Sequence, residues 1–99
     1  MNQYETILLA LANIRNICQT TSLCDAAHET NLLIFEDDGR FFIYSHEFVP
    51  YLRDKFSISL SVEELNSLLP NIIHTFGTSI EPMHAISNPN QVTYKIYLT

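Results

Sequence analysis

Three short stretches of this 99-residue chain carry side chains of the types that bind metals or perform catalysis. Cys24 and His28 lie four residues apart, a spacing that puts both on one face of a helix, as zinc ligands can be. Zinc takes four ligands, and the nearest third one is Cys18, with no second close Cys or His pair. The expected arrangement is a buried thiol beside a solvent-edge imidazole. Glu36-Asp37-Asp38 reads as an acidic loop, but a calcium loop takes its oxygens at alternating positions and turns on its own glycine. Here the acids are consecutive and Gly39 already has a turn to make, so a solvated hairpin tip is expected. Ser45-His46-Glu47 names the residue types of a hydrolytic triad, yet sequence neighbours cannot adopt that geometry. The remaining serine-rich stretch, 57–61, ends on Ser61, which is needed as a helix cap. Gly39 and Gly77 stand too far apart for a phosphate-binding loop. The expectation is no catalytic residue, no metal and no cofactor.

Charge narrows the partners. Five Lys and Arg oppose eleven Asp and Glu, a formal net charge of −6. Proteins that bind nucleic acid draw much of their affinity from cations placed on phosphates. Arg15, Arg40, Arg53, Lys55 and Lys95 are scattered, and only Arg53 and Lys55 are close in sequence, which is a poor footprint for DNA. The early run Ile7–Leu11 lacks the positive flank of a signal peptide, and no stretch approaches the roughly 20 apolar residues of a membrane span. A cytoplasmic protein, of a bacterial or phage-infected cell, is expected. Two cysteines make no disulfide framework, so both are expected reduced.

The elements that would position these residues follow from periodicity. Residues 3–18 read as an amphipathic helix, with Tyr4, Ile7, Leu11, Ile14 and Cys18 at spacings of three and four. The same seam is a candidate homodimer interface through Tyr4, Ile7, Leu11 and Ile14, although two heptads suit a helix packed on its own core better. Thr21 or Ser22 caps a short helix over 23–29. The apolar runs 32–35 and 41–44 flank Asp38-Gly39, a strong hairpin signal, and being apolar on consecutive residues they predict a hairpin covered on both faces.

A helix is expected to begin near residue 46 or 47 and run to Phe56, since Pro50 belongs in a first turn. Ser61-Val62-Glu63-Glu64 is a capping box, with Leu60 and Leu65 placed as a hydrophobic staple. The helix it starts carries Val62, Leu65, Leu69, Ile72, Ile73 and Phe76 inward, is kinked or split at Pro70, and stops at Gly77. Ile80–Ile86 and the alternating run Val92–Leu98 predict a terminal hairpin. The whole is one α+β domain: a helical part over 1–30, a hairpin over 31–45, two helices over 46–77 and a wing-like hairpin over 78–99.

From Arg40 onward the chain resembles the small winged-helix domains at the C-termini of phage and plasmid primases. The residues that carry the likeness are "FVPYLRDKF", then "SLSVEELNSLLP", then a wing ending in "VTYKIYLT". The resemblance implies a winged-helix variant with an added N-terminal helix and hairpin. It departs from a DNA reader at the second helix, whose solvent side offers Glu63, Glu64, Asn66, Ser67, Asn71, His74 and Thr75 without a cation.

Two functions remain in view. One is a non-enzymatic acidic module that binds a protein with a basic surface, most naturally one that handles nucleic acid. Small acidic phage inhibitors such as some anti-CRISPR proteins are similar in size and charge. Its candidate contact residues are Glu36, Asp37, Asp38 and Glu63. The other is a winged-helix DNA-binding domain that acts as a dimer or within a replication or transcription complex. Direct contact with nucleic acid by the isolated chain is not expected.

Overall fold

A computed structural model describes residues 2–30, 32–84 and 92–99 of the chain. Helices α1 (Gln3–Thr20) and α2 (Leu23–Thr30) lead to strands β1 (Phe35–Asp37) and β2 (Arg40–Tyr44). Helices α3 (Ser45–Phe56) and α4 (Val62–Phe76) follow, then strands β3 (Ile80–His84) and β4 (Val92–Tyr97). The four strands form one antiparallel sheet in the order β1-β2-β4-β3. The fold is α+β, and its core lies between the helices and one face of the sheet.

The local signals explain most of the boundaries. Asn2 caps α1 by accepting the Glu5 N–H at 2.9 Å, and Ser22 caps α2 by accepting the Asp25 N–H at 3.2 Å. At α4, Ser61 Oγ accepts the Glu64 N–H at 3.1 Å while Glu64 Oε1 accepts the Ser61 N–H at 3.2 Å. Leu60 and Leu65 both join the core beside this cap. Replacing Ser61 with Ala leaves one helix N–H without its partner, so a loss of about 0.5–2 kcal/mol is expected, read as a lower melting midpoint with an unchanged fold. Gly77 ends α4 at φ 87°, in the left-handed region where glycine is favoured.

The seam of α1 faces inward. Ile7, Leu11 and Ile14 are wholly buried, and the Tyr4 hydroxyl donates to the Asn71 carbonyl of α4 at 2.8 Å. These four residues pack on their own domain, so the seam considered for a homodimer is already occupied. Arg15, beside it, lies 4.3 Å from the centre of the Phe76 ring.

Several expectations shift. Asp38 (φ 56°) and Gly39 (φ 79°) form a two-residue turn with both φ positive, the pattern that matches strand twist. The register counts from that turn, pairing Asp37 with Arg40 and Phe35 with Phe42. Continued, it would set Leu33 against Tyr44, the last residue of β2, and Leu32 against Ser45, where α3 has begun. The first strand therefore sits at 35–37 instead of 32–35, and Leu32 and Ile34 drop into the core ahead of it. Nor is the hairpin covered on both sides by other layers: all of β1 is exposed.

Helix α3 starts at Ser45, directly from β2, which leaves Pro50 in its second turn. Pro50 has no N–H for the His46 carbonyl, and the helix nonetheless continues to Phe56. Helix α4 is not split at Pro70 and runs unbroken to Phe76. The expected turn at 87–91 and the end of the strand at Ile86 lie outside the described residues.

Candidate interaction surface

The sheet has one face on the helices and one face that no described element covers. Ile43, Ile96 and Leu98 point into the core. Alternation sends Phe35, Asp37, Arg40, Phe42, Tyr44, Lys95 and Tyr97 to the other side. There the rings pack on each other: Phe35 stacks on Phe42 at 5.4 Å and meets Tyr44 edge-on at 5.3 Å, and Phe42 lies 5.7 Å from Tyr97.

Two cations roof this layer. The Arg40 guanidinium lies 3.9 Å from the Tyr97 ring centre, and it donates to the Thr99 carbonyl at 3.1 Å and to Ser79 Oγ at 3.0 Å. Lys95 Nζ lies 4.3 Å from the Phe42 ring centre and 3.5 Å from an Asp37 carboxylate oxygen. Burial works to lower the Lys95 pKa, but the Tyr97 phenol and the Asp37 carboxylate outweigh it and hold it above the ordinary value. Beneath these cations Phe42 and Tyr97 are buried. Tyr97, on the face that alternation alone assigns to solvent, is thus covered by its own neighbours.

Four of the five cations, all but Lys55, have a partner among the described residues. Arg53 pairs with Asp54 at 3.2 Å, and Arg15, Arg40 and Lys95 lie on aromatic rings. Asp37 is paired with Lys95, whereas Glu36 and Asp38 are exposed and make no ion pair among the described residues. Glu63 is exposed in the first turn of α4, and Glu64 serves the cap.

The four predicted contact residues do not form one surface. The hairpin tip sits at the end of the sheet where Arg40 meets Thr99. Helix α4 begins at the opposite end, where Asn66 donates to the Val92 carbonyl at 3.0 Å. The seven residue steps from Val92 to Thr99 put roughly 23 Å between those two ends. Only Glu36, Asp37 and Asp38 stand together.

Cys18 is buried, and burial raises its thiol pKa, which keeps it protonated. His28 is exposed on α2, the side chain of Cys24 lies outside the described residues, and among those described no three metal-ligating groups cluster.

Ser45 is wholly buried, and its Oγ accepts the Tyr94 N–H at 2.9 Å. The hydroxyl nearest His46 belongs to Thr93, which no sequence motif singles out. Thr93 Oγ1 accepts the His46 N–H at 3.2 Å and lies 2.9 Å from His46 Nδ1 and 3.0 Å from Ser45 Oγ. Helix α3 has no side-chain cap of its own at Tyr44, so β4 supplies one across the sheet. A proton on His46 Nε2 completes the set, since Glu47 Oε1 lies 3.4 Å away. A hydroxyl, an imidazole and a carboxylate do stand in line here, but the hydroxyl is held as a helix cap.

A shallow cleft of about 370 Å³ lies beside α3, lined by Thr30, Glu47, Pro50, Tyr51, Asp54 and Lys55. Burial raises the Tyr51 pKa, and the mixed charges of the lining select no ligand class. No helix among the described residues is long and apolar enough to cross a membrane. No protein-family model, no curated protein and no solved structure matches the chain.

Proposed function

We propose that this protein is a non-enzymatic interaction module, of the kind a phage-type inhibitor or regulator would be, which meets a basic surface on a nucleic-acid-handling protein. The observation that carries this reading is the imbalance at the hairpin tip. Glu36 and Asp38 are exposed and make no ion pair among the described residues, while the nearby cations Arg40 and Lys95 lie against the aromatic layer. Exposed charges act over about 8 Å at physiological salt, so clustered acids, not scattered ones, attract a partner. Glu63, at the far end of the sheet, belongs to a separate contact or to the helix dipole of α4 alone.

Such a contact should form fast and weaken strongly with salt. The test is capture of the partner from the native host, followed by the pair Glu36→Lys and Asp38→Asn. Asparagine is chosen at 38 because it tolerates the positive φ there. Association should slow several-fold and lose much of its salt dependence, with Asp37 and Lys95 left intact. Unchanged association at every salt concentration would make the tip a turn and nothing more.

A second reading is a winged-helix DNA-binding domain. The order β2-β4-β3 with α3 and α4 between the first strand and the hairpin favours that architecture. Against DNA binding stand the net charge of −6 and an α4 that contains no Lys or Arg and opens on Glu63 and Glu64. No retention of duplex DNA in a gel shift at physiological salt is expected, and specific, salt-sensitive retention would reverse the ranking of the two readings.

A further inference from the structure

Both edges of the sheet are strands, and they differ in what they offer an incoming chain. On β3, Tyr97 donates its N–H to the Ser79 carbonyl, so Ser79 and Tyr97 form a bonded pair and alternate residues turn outward. Pro82 falls on an outward position. It has no N–H there, which closes that edge to pairing. On β1 the closing pair Asp37–Arg40 and the pair Phe35–Phe42 are the bonded ones, and Glu36 between them turns its N–H and C=O to the outer edge, where no other described strand pairs. No proline lies between Leu32 and Asp37.

The flank of this open edge is apolar. Leu33 is 56% exposed and Phe35 36% exposed, two residues apart. Phe35 is backed by Phe42 and Tyr44, so a neighbouring strand would find a wall for its side chains on that side.

We infer that the free edge of β1 takes up an extended, cationic segment of the partner as an added strand; this rests on the reading of a basic partner given above. Charge selects the occupant. A second copy pairing antiparallel about a twofold axis would bring the carboxylates of residues 36–38 close to their own counterparts, and like charges opposite each other destabilise a sheet. Brevity and negative charge guard an edge against unwanted strands, and a strand carrying Lys or Arg is the one that these carboxylates attract. Main-chain bonds to Glu36 would hold it, and Leu33 and Phe35 would take its apolar side chains.

The test uses the full chain, labelled with nitrogen-15, and three capped heptapeptides: alternating Lys and Val, alternating Glu and Val, and alternating Lys and Pro. The Lys–Val peptide should shift the amides of residues 33–37 and slow exchange of the Glu36 N–H, and the Glu–Val peptide should not. The Lys–Pro peptide has the same charge without the strand and should leave the Glu36 exchange rate unchanged. In the protein, Glu36→Pro places a proline outward as Pro82 already is, so the fold is kept while affinity for the Lys–Val peptide falls roughly tenfold. Glu36→Gln removes the charge but keeps the N–H, and should cost less than Glu36→Pro.

Equal, salt-sensitive binding of the Lys–Val and Lys–Pro peptides would overturn strand addition while leaving the basic-partner reading in place. No response to any peptide would overturn the edge as a docking site, and the host capture experiment would then judge the wider reading separately. A Glu36 N–H already protected without peptide, in a chain that sediments as a dimer, would assign the edge to a second copy and overturn the inference.

Discussion

Replacing Phe48 with Ala should lower the melting midpoint by roughly 10–40 °C, the largest effect expected of any single substitution in this chain. Phe48 is wholly buried on α3 and heads the fully buried side chains by volume. Its ring stacks on Tyr51 at 5.9 Å, and α3 packs against α1, α4, β2 and β4. Truncating a buried phenylalanine costs about 3–5 kcal/mol, because the lost transfer energy is joined by the cavity left behind. A domain of this size holds about 5–15 kcal/mol in all. The variant should therefore be marginal at 37 °C, and calorimetry or circular dichroism would read the shift.

Phe35→Ala is the internal control. Phe35 is a third exposed on the outer face and should cost less than about 1.5 kcal/mol, while weakening uptake of the cationic strand peptide. A Phe48→Ala protein melting within a few degrees of the parent would mean that α3 is not part of the core.

How far the fold was legible in the sequence depends on the range of the forces involved. The cap at Ser61, the stop at Gly77, the turn at Asp38-Gly39 and the inward face of α1 are decided within four residues. Each was readable and each stands where the pattern put it. The placement of β1 was not, because it depends on where β2 ends, and β2 ends where a contact from β4 allows α3 to start. The start of α3 lies a residue or two ahead of where Pro50 alone would put it for the same reason: the anchoring hydroxyls of Ser45 and Thr93 are 48 positions apart.

The candidate surface shows the same division. The acids at 36–38 were visible as a cluster. That Arg40 and Lys95 lie over Tyr97 and Phe42, with Lys95 paired to Asp37 and not to Glu36 or Asp38, is a property of strand register. That Glu63 belongs to the other end of the sheet follows from the packing of α4, which no local pattern encodes. Alternation along β4 correctly marked Ile96 and Leu98 as inward, but it could not reveal that Tyr97 would be covered by cations from its own face.

Ser45→Ala and Thr93→Val should each destabilise the domain, and together they should cost less than the sum of the two. In Ser45→Ala the Tyr94 N–H loses the acceptor it has at 2.9 Å in a part-buried setting. An unsatisfied buried donor costs about 1–3 kcal/mol. Thr93→Val keeps the shape but removes the acceptor of the His46 N–H and the partner of His46 Nδ1. It acts as the loss of a helix cap, about 0.5–2 kcal/mol. The two hydroxyls also bond each other at 3.0 Å, so either single change already breaks that shared bond. A double-mutant cycle should therefore return a coupling of about 0.5–3 kcal/mol. Amide exchange gives the local readout: the Tyr94 N–H should open in the first variant, and the N–H groups of the first turn of α3 in the second. Strict additivity, with no change in exchange at Tyr94 or His46, would mean that β2, α3 and β4 are not joined at this point. The early start of α3 would then require another anchor.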